Sequence, residues 1–300
     1  MLGLPIRYWA KNPAIAIRDI VTDPAGILSR VADYSDFTRE QQRTRCGYTH
    51  NNNWEEWLHR QIGQSWPCQC APEFWALWDG IMNELRSKGI QPGPESYKSW
   101  NDGDAGFVRA IWCLVRHGRA RNIIETGVAH GVTSRFILEA LKRNGGGHLW
   151  SIDLPPLERP WRKQIGMAVG DGFGGQWTYI AGSSRRRLPK LLSQVGSVDL
   201  FVHDSLHSER NVRFELDRIW DKLRWPGAVV VDDIDSNCGF ESFRQANPGV
   251  EYAVCEAEPV RPDERRFNQK GLFGVFLKAS VLRKGPFPER EEIWLTSAAK

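Results

Sequence analysis

Between residues 121 and 134 the chain reads Arg-Asn-Ile-Ile-Glu-Thr-Gly-Val-Ala-His-Gly-Val-Thr-Ser: a β-branched run closed by an acid, Glu125, then Gly127 and Gly131. Phe136, Ile137, Leu138 and Leu141 follow at helical spacing, so the segment predicts a strand, a tight glycine turn and a helix N-terminus. Such a turn holds nucleotide-like ligands, because glycine lets the backbone approach closely and free helix N–H groups point at the ligand. Spacing then separates two ligand classes. A pyrophosphate needs G-x-G-x-x-G, but here Ala129 fills the middle glycine position and the third glycine is missing. A carboxylate at the strand end suits a cationic or amino-bearing ligand better.

Four more acids, Asp153, Asp204, Asp232 and Asp233, fall where later strands should stop. In open α/β sheets ligands bind outside the carboxyl ends of the strands, and helix capping alone is a poor account of the whole set. Asp153 stands 28 residues after Glu125, where a carboxylate can accept hydrogen bonds from both hydroxyls of a ribose. Carboxylate oxygens are also hard ligands of the kind Mg²⁺ takes. Adjacent strand residues point to opposite faces, so Asp232 and Asp233 share an ion only if the strand has already turned. Otherwise Asp233 and Asp235 form the better pair. His207 follows Asp204 by one turn, and the unperturbed pKa of an imidazole lies near neutrality, which makes it the leading general base. A histidine that only braces the loop is the plainer alternative. His203, at the strand end, could instead face the pocket, and His130 reads as a turn residue.

The pattern E-T-G-x-A-x-G-x-T-S resembles the first motif of class I methyltransferases that use S-adenosylmethionine, and Val202-His-Asp-Ser-Leu-His-Ser208 resembles the D-x-x-H-S element of methyltransferase family 24. The resemblance covers roughly residues 100–280. It implies S-adenosylmethionine held by Glu125, Gly127, Ala129, Gly131 and Ser134, with Asp153 on the ribose and Asp204 alongside. Ser183 stands where many relatives have an acid on the adenine amino group, so adenine contacts would run through hydroxyl or backbone. The resemblance further implies a divalent cation such as Mg²⁺ on Asp204, Asp232 and Asp233. His207 and Asp204 are then the catalytic pair in methyl transfer to a small molecule, at a hydroxyl by preference. Two other classes stay open. One is a nucleotide-dependent oxidoreductase, weakened by the missing glycines; the other is a non-catalytic binding module that keeps the fold as a scaffold.

The elements that must position these residues alternate regularly. A helix carrying Phe107, Val108, Ile111, Trp112 and Val115, capped by Asp102 or Asp104, precedes strands at 121–126, 148–153, 177–181, 198–204 and 227–233. Helices are expected at 132–143, near 160–168, at 185–194 and at 212–223, with later strands at 251–255 and 271–277. Alternation of this kind predicts a doubly wound, Rossmann-like, mostly parallel α/β sheet. Before residue 95 the tryptophans crowd (Trp9, Trp54, Trp57, Trp66, Trp75, Trp78) and Pro72–Ser87 has helical periodicity. The chain therefore divides into a Trp-rich, mainly helical N-terminal region (1–95), a cofactor-binding domain (96–285) and a tail (286–300), with a turn-rich linker at 89–96. The N-terminal region reads equally as a small helical subdomain packed against the rest or as a cap that shapes a substrate pocket or a subunit contact, which leaves room for a homo-oligomer.

A net charge of +4 on 300 residues implies no broad nucleic-acid face. No apolar run reaches the roughly 18–20 residues of a membrane span, and the first residues lack a signal-peptide core. These features read as a soluble, cytoplasmic protein. The six cysteines are scattered, with Cys68-x-Cys70 the one close pair. Cys46, His50 and His59 stand near enough in sequence to complete a zinc set with that pair, but reduced thiols are the simpler expectation.

Overall fold

The computed structural model describes residues 9, 11–40, 46–91, 104–257 and 271–278. Helices α1 (Pro13–Thr22), α2 (Pro24–Glu40), α3 (Trp54–Gln61), α4 (Ala71–Ser87) and α5 (Ala105–Gly118) come first. Then follow β1 (Asn122–Thr126), α6 (Val132–Arg143), β2 (His148–Asp153), α7 (Arg159–Arg162), β3 (Trp177–Ala181), α8 (Ser184–Leu192) and β4 (Val198–His203). The chain continues through α9 (Glu209–Trp220), β5 (Leu223–Val231), α10 (Gly239–Ala246), β6 (Glu251–Glu256) and β7 (Leu272–Leu277). The strands form one seven-stranded sheet in the order β3-β2-β1-β4-β5-β7-β6. Strands β1 to β5 run parallel, and β7 is antiparallel to both neighbours. The expected doubly wound sheet is present.

Period-two alternation feeds two cores, one on each sheet face. Ile123, Leu200, Val202 and Val230 pack toward α5 and α6, while Ile124, Phe201, Val229 and Val231 pack toward α8, α9 and α10. The first core is continuous with the N-terminal region. Phe74 and Trp78 of α4 meet Phe136 of α6 at ring-centroid distances of 4.8 and 5.6 Å, and Trp112 of α5 meets it at 5.9 Å. The tryptophans crowd there because α3 and α4 close this face of the sheet.

Several sequence expectations shift. The helix near 160–168 is only one turn, Arg159–Arg162, and the chain then folds beneath the glycine turn. Helix α9 begins at Glu209, where the Ser208 hydroxyl accepts from the Asn211 N–H, rather than at 212. Strand β5 begins at Leu223 rather than 227 and ends at Val231, before the acidic pair. Asp104 takes the N-cap position of α5 without a side-chain capping bond, and Asp102 lies outside the described residues, as do linker residues 92–96, loop residues 258–270 and the tail 286–300. Cys46 and Cys238 are disulfide-bonded across 192 residues of sequence, which corrects the expectation of six reduced thiols. A pairing that distant has no local signature. No described helix is long and apolar enough to cross a membrane.

Candidate functional site

The glycine turn owes its composition to packing as much as to ligand access. Gly127 has φ +89°, and a Cβ there would run into the carbonyl of Asp204 at the exit of β4. Its N–H donates to the Ile152 carbonyl of β2 at 2.8 Å, and Asp204 N–H donates to Thr126 O at 2.8 Å. Gly131 has φ +83°, and a Cβ would press on Gly166 Cα at 2.9 Å. The segment after α7 is clasped to the turn by Gly166 N–H to Ala129 O at 3.0 Å and Ala168 N–H to His130 O at 2.8 Å. His130 Nε2 pairs with Gln164 Oε1 at 3.1 Å, a turn residue as expected. Ala129 itself is left-handed at φ +46°, a conformation that costs a non-glycine residue about 1 kcal/mol or more.

Glu125 is fully buried under this turn. Its Oε2 accepts from Ser134 Oγ at 2.6 Å and Ser151 Oγ at 2.7 Å, so Ser134 orients Glu125 instead of presenting a free hydroxyl. Trp177 Nε1 in turn donates to Ser151 Oγ at 3.0 Å. Oε1 is buried with no hydrogen-bond partner. Burial pushes the carboxyl up to about 8 against the pull of the two serines, and the fields of Asp204 and Asp153 add to the rise.

Asp153 ends β2 and is buried, with its carbonyl accepting from Gly182 N–H at 2.7 Å. Just beyond it opens a cavity of about 450 Å³ between the ends of β2 and β3 and the first two helices. Leu154, Pro155, Ala181 and Gly182 line one side, and Ile27 and Arg30 line the other. Ser183 precedes α8 at the cavity's edge, but its hydroxyl donates to Ser29 Oγ of α2 at 3.2 Å. Helix α2 thus covers the carboxyl ends of the strands. Arg30 donates to the Pro155 carbonyl, Asp36 pairs with Arg185 at 2.7 Å, and Glu40 accepts from Glu209 N–H at the start of α9 at 2.7 Å.

The remaining acids gather at the ends of β4 and β5. Val231 is the last residue of β5, and Asp233 is left-handed at φ +47°, so the strand has turned before the pair. Asp232 is buried with its N–H on His203 O at 2.9 Å, and its carboxyl lies well above the usual range because of burial, then Asp233 and Asp204. His207 Nε2 sits 3.6 Å from Asp204 Oδ1 and 3.7 Å from Asp233 Oδ2. Ligand atoms of Asp204, His207 and Asp232 all fall within 4.8 Å of one another. Asp235 is used elsewhere: its Oδ1 accepts from Leu272 N–H of β7 at 3.2 Å.

His203 does not serve this cluster. It is fully buried, with Nδ1 donating to Glu215 Oε2 at 2.7 Å. Glu215, invisible to motif reasoning, also accepts from Thr126, Ser205 and Asn211. The charge and hydrogen bond of His203, then the Ser184 and Thr126 hydroxyls, hold its carboxyl down at about 2 in spite of burial. Nothing in the sequence singles out a helical glutamate that braces two strand ends from below. Asp36 and Glu40 were equally hidden, since their partners lie 149 and 169 residues away.

A family model described as a methyltransferase domain matches residues 124–234, which span the glycine turn, Asp153, Asp204, His207 and the acidic pair. No curated protein matches the sequence. Among solved structures, a putative O-methyltransferase from Klebsiella pneumoniae is similar at 13% identity, over 75% of this chain and 96% of that one, with a TM-score of 0.49. The O-methyltransferase TomG from Streptomyces achromogenes, in complex with S-adenosylmethionine, is similar at 15% identity, over 68% and 90%, with a TM-score of 0.49. An O-methyltransferase from Bacillus cereus, in complex with S-adenosylhomocysteine, is similar at 14% identity, over 68% and 91%, with a TM-score of 0.48.

Proposed function

We propose, from the match of residues 124–234 to a methyltransferase-domain model, that the chain transfers the methyl group of S-adenosylmethionine to a hydroxyl of a small molecule. The observation that carries this reading is the meeting of Asp204, His207, Asp232 and Asp233 beside the glycine turn, where Gly127 leaves no gap against the Asp204 backbone. The donor set fits a divalent cation. Three carboxylates forced together, one of them buried, repel one another, and a hard cation relieves that repulsion. Asp204, Asp232 and Asp233 would hold it. When bound, S-adenosylmethionine supplies an electrophilic methyl and the cation supplies Lewis acidity toward the acceptor oxygen.

The chain's own residues do the rest. Glu125 offers Oε1 to the amino group of the methionine end, and Asp153 offers its carboxylate to the ribose. Ser183, tied to Ser29, leaves the backbone at Gly182 and Ser183 for the adenine. His207 Nε2 takes the acceptor's hydroxyl proton as the carbon–oxygen bond forms and the carbon–sulfur bond breaks. Positioning of two reactants supplies most of the rate, so α2 matters by excluding water from the strand ends. We assign the reaction to the cytoplasm, where a structural Cys46–Cys238 disulfide would be an exception.

One observation favours a second role for His207. Its ligand nitrogen lies within 4.8 Å of ligand atoms of both Asp204 and Asp232, a set that does not include Asp233, as a metal ligand's would. The two roles separate experimentally. Methyl transfer from labelled S-adenosylmethionine to a hydroxylated small-molecule panel should be lost in EDTA and restored by Mg²⁺, and Asp233→Ala should lose at least 100-fold in kcat with cofactor affinity nearly unchanged. Activity that survives both would sink the cation. If His207 is the base, His207→Gln keeps Mg²⁺ affinity and loses rate; if it is a ligand, both fall together.

A further inference from the structure

On the far side of α5 from its helical start, four side chains that the reaction does not use converge in the first core. Cys113 and His117 stand one turn apart on α5, His59 comes from α3, and Cys68 comes from the loop leading into α4. Ligand atoms of all four lie within 4.8 Å of one another, and three of the four residues are buried. Cys68 Sγ is 4.0 Å from Cys113 Sγ and 3.4 Å from His117 Nε2. The rings of His59 and His117 meet edge to face at 5.3 Å.

We propose that Cys68, Cys113, His59 and His117 form a structural zinc site that fastens the N-terminal helices to the sheet. The separations match a tetrahedron: zinc–sulfur bonds of about 2.3 Å and zinc–nitrogen bonds of about 2.0–2.1 Å put sulfurs about 3.8 Å apart and sulfur about 3.5 Å from nitrogen. Tautomer chemistry points the same way. His59 Nδ1 lies 2.8 Å from the Glu55 carbonyl, which can only accept, so Nδ1 carries the proton. The neutral ring therefore turns an unprotonated Nε2 inward. That nitrogen belongs to a residue with no solvent exposure, makes no hydrogen bond of normal geometry and faces the Cys68 thiol. A buried lone pair without a well-placed donor is costly, whereas a ligating histidine held by a carbonyl on its other nitrogen is the usual arrangement at zinc. Glu55 is itself fixed by Arg109 at 3.0 Å, so the orienting carbonyl sits on a braced turn.

The set differs from the one that spacing suggested. Cys46 is bound to Cys238, and Cys70 turns away toward Arg116 at 3.9 Å. His50 Nε2 instead faces Glu256 Oε2 at 3.9 Å. Sequence spacing could not find Cys113 and His117, because the loop between them and Cys68 closes only in the fold. All four residues precede the matched segment 124–234, so the site rests on none of the methyl-transfer chemistry.

The test is the metal content of the full-length protein purified without chelator. About one zinc per chain is expected, with cobalt substitution giving the visible absorption of a tetrahedral thiolate site. Cys113→Ser and the half-buried His117→Gln should each lose zinc to a competing chelator, while Cys70→Ser keeps it. Zinc content should not follow Asp204→Ala or Asp233→Ala. If Cys113→Ser fails to fold, His117→Gln and the wild-type metal content still decide. A wild-type chain without zinc, whose melting temperature added zinc does not raise, would overturn the proposal. So would a Cys68–Cys113 disulfide, or zinc retained in full by both ligand variants.

Discussion

Two buried glutamates beneath the strand ends have opposite electrostatics, and that contrast makes each testable. Glu125 is desolvated with only two hydroxyls in compensation, and it titrates near 8. At pH 7 its carboxyl is mostly neutral, so an ammonium ligand that needs the charged form must first draw off a proton. Cofactor affinity should therefore rise as pH goes from 7 through 8 and level off near pH 9. Calorimetric titration of S-adenosylhomocysteine across that range checks it, and Glu125→Gln should flatten the profile and bind several-fold more weakly. A flat wild-type profile would remove Glu125 from the amino site. Glu215 is held near 2 by His203, then by the Ser184 and Thr126 hydroxyls. A depressed carboxylate contributes stability that is complete above its unfolded value of 4.5 and is lost as pH falls toward 2. Glu215→Ala strands His203 and the surrounding donors, and breaking a buried pair of this kind costs about 3–5 kcal/mol. Chemical denaturation at pH 7 should register that loss, with a much smaller loss at pH 2.5.

At the scale of elements, α2 is the part of the molecule that most shapes the site and was least legible in sequence. Strands β1, β2 and β3 announce themselves, since short β-branched or aromatic runs end at an acid or a glycine and the observed bounds fall within a residue of expectation. Glycine turns and strand-end acids are local signals, and so the candidate cofactor and cation residues could be named one by one. A lid is not local. Its attachments are Ser29 to Ser183, Asp36 to Arg185 and Glu40 to the start of α9, pairs 149 to 169 residues apart in sequence. Asp33 opposes that attachment. Burial raises its carboxyl from 3.8 to about 6, against the pull of Arg185. A raised carboxyl favours the docked helix below pH 3.8, and the benefit is lost as pH rises through 6. Amide exchange of residues 24–40 should accordingly slow between pH 7 and pH 5, after correction for intrinsic rates. Asp33→Asn should give the slower exchange at pH 7, and Asp36→Ala should speed it at either pH. Exchange in α2 that ignores all three changes would mean the helix is held by something other than these contacts.

Across the whole molecule the N-terminal third wraps the sheet on two sides, and each side needs a fastening. On the α5 and α6 face the aromatic stack of Phe74, Trp78, Trp112 and Phe136 supplies apolar burial in plenty. At the carboxyl ends of the strands there is much less: Tyr48 meets Phe240 edge to face at 6.1 Å, and Asn51 N–H reaches Val254 O at 2.8 Å. The Cys46–Cys238 bond joins that thinly packed segment to the loop that carries Asp232 and Asp233. A cross-link over so long a loop restricts the unfolded chain strongly, and native disulfides typically contribute about 2–4 kcal/mol. Reductant should therefore lower the melting temperature of the wild-type protein by several degrees. The double variant Cys46→Ala, Cys238→Ala should start at the lower value and no longer respond. Because the bond sits beside the acidic loop and away from the glycine turn, its loss should raise the acceptor KM while S-adenosylhomocysteine affinity holds. Equal melting temperatures with and without reductant would show that Tyr48 and Asn51 suffice to hold the segment, and a matching fall in cofactor affinity would place the bond's influence on the opposite side of the site.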